Sequence, residues 1–300
     1  MRTSIVHHHM VSVINSCLAT GAVEINILDA GCGDGVLMAL LSQLLPKLND
    51  KLVVNIFGFD VCDSQVQGTG YFGKTIKLLT DEVPGINWEM RLRQIKSTDR
   101  WPYEGKFFDF VVSNQVLEHV SDHAFFFSEI SRVLKDDGRG IHLFPLKDCW
   151  HEGHINVPFS HWITDRRIMY SYIYMASLLG MGKYRAHKRA DVNLTRSQYC
   201  IRHTDYILFN TNYISHDELA IVAKRNGLAI SFGFTHWLFI NKLRSLLSFR
   251  LRYKMVNSSA LTIFLFWIMK RITSVTLVMD KQNTYRQELT GHQVAPEKTG

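Results

Sequence analysis

Two groups of residues in this chain have the types and spacing to do chemistry. The first is the stretch INILDAGCGDG (25–35), where Gly31, Gly33 and Gly35 alternate directly after an apolar run. Glycines so spaced let bare main chain come close to a ligand and adopt positive φ. The second is a set of histidines, His119 in LEHV and His151, His154 and His161 in WHEGHINVPFSHW. An imidazole with its ordinary pKa of about 6.5 suits general-base work at neutral pH, so His154, His151 and His119 are the candidate catalytic residues. His119 has the plainer alternative of orienting a helix start. His151 and His154, with Glu152 between them, have a spacing that zinc tolerates, but no second pair at matching spacing accompanies them. The expectation is therefore no metal.

The glycine stretch excludes two common ligands. A phosphate-cradling loop would need Gly-Lys-Ser or Gly-Lys-Thr before its helix, and neither occurs there. A nicotinamide-binding turn reads G-x-G-x-x-G, whereas this one is G-x-G-x-G with Asp34 where a diphosphate would meet extra negative charge. The spacing predicts a partner without phosphate.

These residues are positioned by a regular alternation of elements up to about residue 146. EINILDA, KLVVNIFGFD, INWEMRLRQI, FFDFVVSNQ and GIHLFPL read as five strands. VLMALLSQLL is a helix stopped by Pro46, and SDHAFFFSEISRVLKDDG is a helix with Ser121 or Asp122 as N-cap and Gly138 just past its end. Strand, helix, strand in succession means right-handed crossovers and a mostly parallel sheet with helices on both faces. Beyond Pro145 the rhythm breaks. DRRIMYSYIYMASLLG reads as a helix, SHDELAIVAKRNGL as a capped helix ending at Gly227, AISFGFTH as a strand and TSVTLVMD as the last strand. The organisation predicted is an N-terminal extension (1–24), a ligand-binding core (25–146) and an insertion forming an acceptor pocket (147–213). A C-terminal part of the sheet domain (214–280) follows, with a basic apolar helical insertion at about 238–271, then a tail (281–300).

Composition excludes other classes. With 46% hydrophobic and 20% charged residues the chain is globular rather than disordered. Its five cysteines are odd in number and scattered, without a C-x-x-C pair, which argues against a disulfide scaffold or zinc knuckle and for a reducing, cytoplasmic setting. No sustained apolar stretch precedes Gly21, so no secretory signal is expected, and the glycosylation patterns at Asn193 and Asn257 read as chance matches. The net charge of +7 is concentrated: residues 241–279 hold seven Lys or Arg and no Asp or Glu. The same segment holds ALTIFLFWIM (260–269), too short to span a bilayer, which needs about 20 residues. It reads as a buried helix, a helix lying on a membrane surface, or a lid over an apolar substrate.

ILDAGCGDG, with Asp29 two residues before Gly31, resembles the first motif of the class I S-adenosylmethionine-dependent methyltransferases. Asp60 in IFGFDVCDS matches the acid that closes the second strand. FFDFVVSNQVLEHV (107–120) and EISRVLKDDGRGIHLFP resemble the strand-four and strand-five motifs of the methyltransferase type 11 subgroup. The resemblance covers residues 25–146 and implies a Rossmann-like α/β sheet, mostly parallel with an antiparallel last strand, and S-adenosylmethionine as cofactor. A sulfonium nucleoside has a ribose diol but no phosphate, and a carboxylate ending strand two can accept from both hydroxyls, the role expected of Asp60. By resemblance Asp29 faces the methionine amino group, Val61 packs on adenine, and Cys32, Ser97, Thr98 and Asn114 join Gly31, Gly33 and Gly35 around the cofactor. Ser97 stands where an adenine-contacting Asp is common, so either Ser97 or Asp99 makes that contact. Asp109 is expected to be structural.

Amide and adenine N-methyltransferases of this fold carry a Pro-Pro-aromatic step after strand four, whereas this chain reads Ser113-Asn114-Gln115-Val116. The departure points to O- or C-methylation of a small molecule, lipid-like or a glycan intermediate. Other readings stay open. The basic run at 183–202 could track nucleic acid, as in an RNA methyltransferase, although a small-molecule acceptor is the expected partner. The chain could be an inactive cofactor-binding scaffold, and residues 241–279 could touch a membrane peripherally.

Overall fold

The computed structural model describes residues 1–63, 70–247, 249, 251–255 and 259–282. Asn257 and most of the predicted tail lie outside the described residues, as do several residues of the basic insertion.

The chain opens with helix α1 (Ile5–Cys17), strand β1 (Glu24–Ala30), helix α2 (Val36–Leu48) and strand β2 (Val53–Val61). Helices α3 (Tyr71–Glu82) and α4 (Trp88–Arg91) lead to β3 (Leu92–Ile95), followed by β4 (Phe108–Asn114), α5 (His123–Val133) and β5 (Leu134–Phe144). An insertion holds a small hairpin, β6 (His151–Glu152) and β7 (Val157–Pro158), and helices α6 (Arg166–Leu178), α7 (Tyr184–Ala190) and α8 (Arg196–Asn210). Helix α9 (His216–Arg225), β8 (Leu228–Ser231), α10 (Thr235–Leu246), α11 (Ser259–Met269) and β9 (Val275–Lys281) complete the described fold.

Seven strands form one sheet in the order β3-β2-β1-β4-β5-β9-β8. The first five are parallel, and β9 enters antiparallel between β5 and β8. Strand order therefore reverses between β1 and β4, and the carboxyl ends of these strands are where a ligand of such a sheet sits. The central strands are buried on both faces, which is why they read as unbroken apolar runs. Along β1, Ile25 and Ile27 enter a core shared with α1, α2 and α10, while Leu28 and Ala30 enter one shared with α5 and α9. A third, smaller core belongs to the insertion, where Met169 and Ile173 of α6 meet Tyr199, Cys200 and Ile207 of α8.

The structure departs from sequence-based expectation at four places, each for a local reason. Helix α2 runs through Pro46 to Leu48, because a proline in the last turn forfeits a single amide bond and the Asn49 amide still closes on Leu45 O. The first half of INWEMRLRQI is a helical turn, capped by the Asn87 side chain accepting from the Met90 amide, and only Leu92–Ile95 pairs with β2. Gly138 lies inside β5 and not beyond a helix end. An added Cβ there would meet Phe108 O at 2.8 Å, so the glycine permits close strand approach at a bulge opposite Phe108 and Phe110. AISFGFTH gives only the short strand β8 before α10 begins at Thr235.

Helix α11 is neither wholly buried nor free. Phe266 and Met269 are buried, with Phe266 stacked on Phe232 at 4.3 Å, while Ile263, Phe264, Trp267 and Ile268 face outward. Among the described residues no helix is long and apolar enough to cross a membrane.

Candidate active site

A cavity of ≈ 480 Å³ opens where the strand order reverses, over the carboxyl ends of β1, β2 and β4. Its floor is the glycine turn between β1 and α2. The Gly31 and Cys32 amides share Phe59 O at 2.9 and 3.0 Å, and Gly33 O accepts from the Thr75 hydroxyl at 2.7 Å. Gly31 has φ +84°, and a Cβ on it would sit 2.7 Å from Val116 Cγ2, so this position admits glycine alone.

Two acids lie under and beside the turn. Asp60 accepts from the Gly33 amide through Oδ2 at 2.7 Å and from its neighbour's amide, Val61, through Oδ1 at 2.8 Å. Burial raises its pKa, opposed by those two amide bonds. Asp29 is buried at 2% exposure, and burial, with the negative charges of Asp60 and Asp34, raises it to about 8. Two carboxyls so placed form a site that gains from an arriving cation and loses from an anion.

Of the residues predicted to hold a cofactor, Gly31, Gly33, Asp60, Val61, Ser97 and Asn114 line the cleft together. Asp29 is packed beneath it, Cys32 is buried in the core with α2, and Gly35 serves as the left-handed N-cap of α2. Thr98 is exposed and does not line the cleft. Ser97 is held at the rim by Asp63, which accepts from its amide at 2.9 Å and its hydroxyl at 2.9 Å. Asp99 instead turns back to accept from the Lys96 amide and stays out of the cleft. Asp109 accepts from the Asn26 amide and pairs with Lys135 at 2.8 Å, tying β4 to β1.

The candidate bases separate. His119, at the end of a short 3-10 turn (Leu117–His119), lines the cleft. His154 lies behind it, ring centroids 5.0 Å apart and Nε2 atoms 3.2 Å apart. His151 is exposed and outside the cleft, and His161 contacts Tyr213 and the Lys147 carbonyl. Behind His154 stands Glu152, wholly buried, accepting from His154 Nδ1 at 2.6 Å, from Tyr213 at 2.8 Å and from the Ile155 amide at 2.8 Å. Burial works against its ionisation, but these partners outweigh it and hold its carboxyl at about 2. Glu118 is the opposite case: wholly buried, neither oxygen has a hydrogen-bond partner, and burial raises it to about 8. Burial also lowers His119, opposed by its bond to the Asn210 carbonyl.

Several cleft residues carried no signal in the sequence. Phe59 and Trp101, rings 4.8 Å apart, and Phe126 form an aromatic side to the cavity. Phe209 to Asn212, at the end of α8, close the far side, where Asn212 bonds the Glu118 carbonyl at 2.6 Å. Asp63, three residues after Asp60, lines the cleft as well. Gln115 adopts φ +58°, a strained value for a non-glycine, as its amide reaches Leu143 O and turns the chain out of β4.

Residues 3–230 match the family described as "Methyltransferase domain". No curated protein matches the chain closely enough to count as a relative. Among solved structures, PKMT2 from Rickettsia typhi is 13% identical, with 94% of this chain and 54% of that chain covered and a TM-score of 0.50. The YcgJ protein from Bacillus subtilis is 15% identical over 92% of this chain and 99% of its own, with a TM-score of 0.46. Geranyl diphosphate C-methyltransferase from Streptomyces coelicolor A3(2), solved with Mg2+, geranyl-S-thiolodiphosphate and S-adenosyl-L-homocysteine, is 14% identical over 90% and 73%, with a TM-score of 0.43. At such identities the first is a likeness of fold, and the other two are too distant in shape to bear on substrate.

Proposed function

This chain belongs to the methyltransferase domain family, and on that premise we propose that it moves a methyl group from S-adenosylmethionine to an oxygen or carbon of a small-molecule acceptor. The observation that carries the donor assignment is the pair of buried acids, Asp29 and Asp60, at a glycine turn whose main chain is bare. A ligand there must bring positive charge and hydroxyl donors and no phosphate. S-adenosylmethionine supplies an already activated methyl on a sulfonium, with an ammonium and a ribose diol. Asp60 keeps its amide bonds and offers its remaining lone pairs to the diol, while Asp29 gives the ammonium a counter-charge. Asn114 lines the cleft with its buried Oδ1 unpartnered, a further acceptor for the ligand. Val61, Ile95 and Ser97 form the adenine end.

Transfer from a sulfonium is an in-line displacement, so the chain's contribution is proximity and alignment. The acceptor end sets Phe125, Phe126 and Phe209 beside the polar residues Ser121, Asp122, Asn210, Thr211 and Asn212 and beside His119, with His154 behind it. That lining suits an acceptor with an apolar, lipid-like body and polar oxygen functions. Of the three candidate histidines, His119 is the one that reaches it.

The same reading extends to a membrane surface. Phe239, Leu243, Leu246 and Leu247 of the α10 region and Ile263, Phe264, Trp267 and Ile268 of α11 are exposed, interspersed with Lys242, Arg244 and Arg271. Such a face suits shallow insertion among anionic headgroups. Co-sedimentation with anionic vesicles, lost in Phe264→Glu/Trp267→Glu, is the result expected; recovery of the wild type in the supernatant sinks this part.

Calorimetric titration with S-adenosylhomocysteine, alongside Asp60→Ala, tests the donor site. Uptake by folded protein is expected, and binding of NADH in its place overturns the reading. Methyl transfer from labelled donor across a panel of hydroxylated and isoprenoid acceptors then tests the acceptor class. Donor binding without turnover anywhere on the panel would favour an inactive scaffold.

A further inference from the structure

We propose that Glu118, His119 and His154 form a binding site for a divalent transition-metal cation of the zinc type, at the acceptor end of the cleft. One ligand atom from each lies within 4.8 Å of the others. The hydrogen-bond roles make the site specific. His119 Nδ1 lies 2.6 Å from Asn210 O, a carbonyl that can only accept, so Nδ1 carries the proton. His154 Nδ1 lies 2.6 Å from a Glu152 carboxylate oxygen and donates likewise. With Nδ1 protonated on both rings, the two Nε2 atoms that face one another at 3.2 Å are the positions left to share a proton or a metal ion.

The separation fits a metal: ligand bonds of about 2.0–2.1 Å to both nitrogens subtend an angle of about 100°, between octahedral and tetrahedral values. The third ligand is supplied by Glu118, whose two wholly buried oxygens have no partner in the protein. A buried carboxyl without a partner is costly, and a cation that takes the place of its proton removes the cost. The outer partners also have the form expected of a metal centre. Glu152 on one ring and a backbone carbonyl on the other fix both tautomers, and Tyr213 steadies Glu152 in turn. Two imidazoles and one carboxylate leave a coordination position open, and His119 is itself part of the cleft wall. A bound cation there would ligate an acceptor hydroxyl and lower its pKa, so that its proton passes to water in the open cleft without a free imidazole acting as base; the oxygen–methyl bond then forms as the sulfonium–methyl bond breaks, and S-adenosylhomocysteine leaves. That last consequence rests on the methyltransferase reading; the site itself does not.

The test uses the full chain, stripped with chelator, in a His7→Gln/His8→Gln background that removes the N-terminal histidines as stray donors. Zn2+ alone is titrated by calorimetry, and Co2+ by its visible spectrum, with Mg2+ as the hard-cation control. One Zn2+ per chain is expected, with Mg2+ much weaker. Glu118→Gln and His154→Ala should each weaken Zn2+ by more than the roughly 10–100-fold expected of the outer-partner variant Glu152→Gln. His151→Ala, outside the cluster, should bind as the parent does. Circular dichroism and S-adenosylhomocysteine titration on the same samples report folding and the donor site, so failure of the metal site is separable from failure of the function proposed above. Folded parent protein that takes up neither Zn2+ nor imidazole-ligated Co2+ overturns the proposal, and so does uptake unchanged in both cluster variants. Should any variant fail to fold, the parent's Co2+ spectrum decides.

Discussion

The floor of the cleft and its far wall each bury acids, yet they satisfy them by opposite means. On the floor, Asp60 is held by main-chain amides within one short turn and its own strand end. On the wall, Glu152 is held by side chains, His154 and Tyr213, the latter 61 residues away, and Glu118 by nothing within the protein. Backbone donors fix a geometry that hardly depends on neighbouring side-chain identity. Side-chain donors can be exchanged one at a time. The floor thus keeps its geometry whatever side chains surround it, and the wall can be reshaped one side chain at a time.

That contrast breaks or sharpens under five measurements. The largest effect is expected from Asp60→Ala, which removes two charge-assisted amide bonds and the ribose acceptor together. Affinity for S-adenosylhomocysteine should fall by roughly 100-fold or more in calorimetry, and an unchanged value would mean the floor does not bind the donor. Next comes Gly31→Ala, where left-handed backbone and overlap with Val116 combine; urea unfolding should show a loss of about 2–4 kcal/mol. The wall is tested by His119→Asn, which should lower methyl transfer roughly 100-fold while donor affinity stays within about twofold. A parallel loss of donor affinity would erase the distinction between the two halves.

A smaller effect comes from pH. Asp29 in the free protein is raised to about 8, first by burial, so it holds its proton at neutrality. A cationic donor favours the carboxylate, so binding expels that proton below pH 8 and affinity should climb by up to about tenfold per pH unit, flattening above it. Titration in buffers of different ionisation enthalpy measures the released proton directly, and Asp29→Asn should abolish it. Smallest of all, Lys135→Ala removes a half-exposed partner of Asp109 away from both regions, and should cost less than about 1 kcal/mol with donor binding and turnover unchanged.

The two regions were not equally legible. Gly31, Gly33, Asp60 and Val61 are neighbours in sequence or at matching strand ends, and they meet in the cleft because parallel strands bring their carboxyl ends to one edge. Ser97 against Asp99 was undecidable until Asp63 showed which of the two is held at the rim. The histidines were visible as a set, but which of them reached the cleft was not. His151 stands directly before Glu152 and three residues before His154, yet it faces outward because successive residues of an extended strand point to opposite sides. The helix end at Gly138 was misread because a glycine after a helical pattern has two causes, and the close approach to Phe108 leaves no local trace.

By itself the sequence determined the alternating α/β plan, the glycine turn and the acid that ends β2, because periodicity and turn chemistry act over a few residues and need no distant partner. Only the tertiary structure decided that His119 meets His154, that Glu152 stands behind them with Tyr213, that Glu118 is left unpartnered and that the end of α8 closes the cleft. Those contacts join residues dozens of positions apart, through the packing of an insertion with its own core. Packing energy is a property of the assembled surfaces, and no stretch of the chain carries it alone.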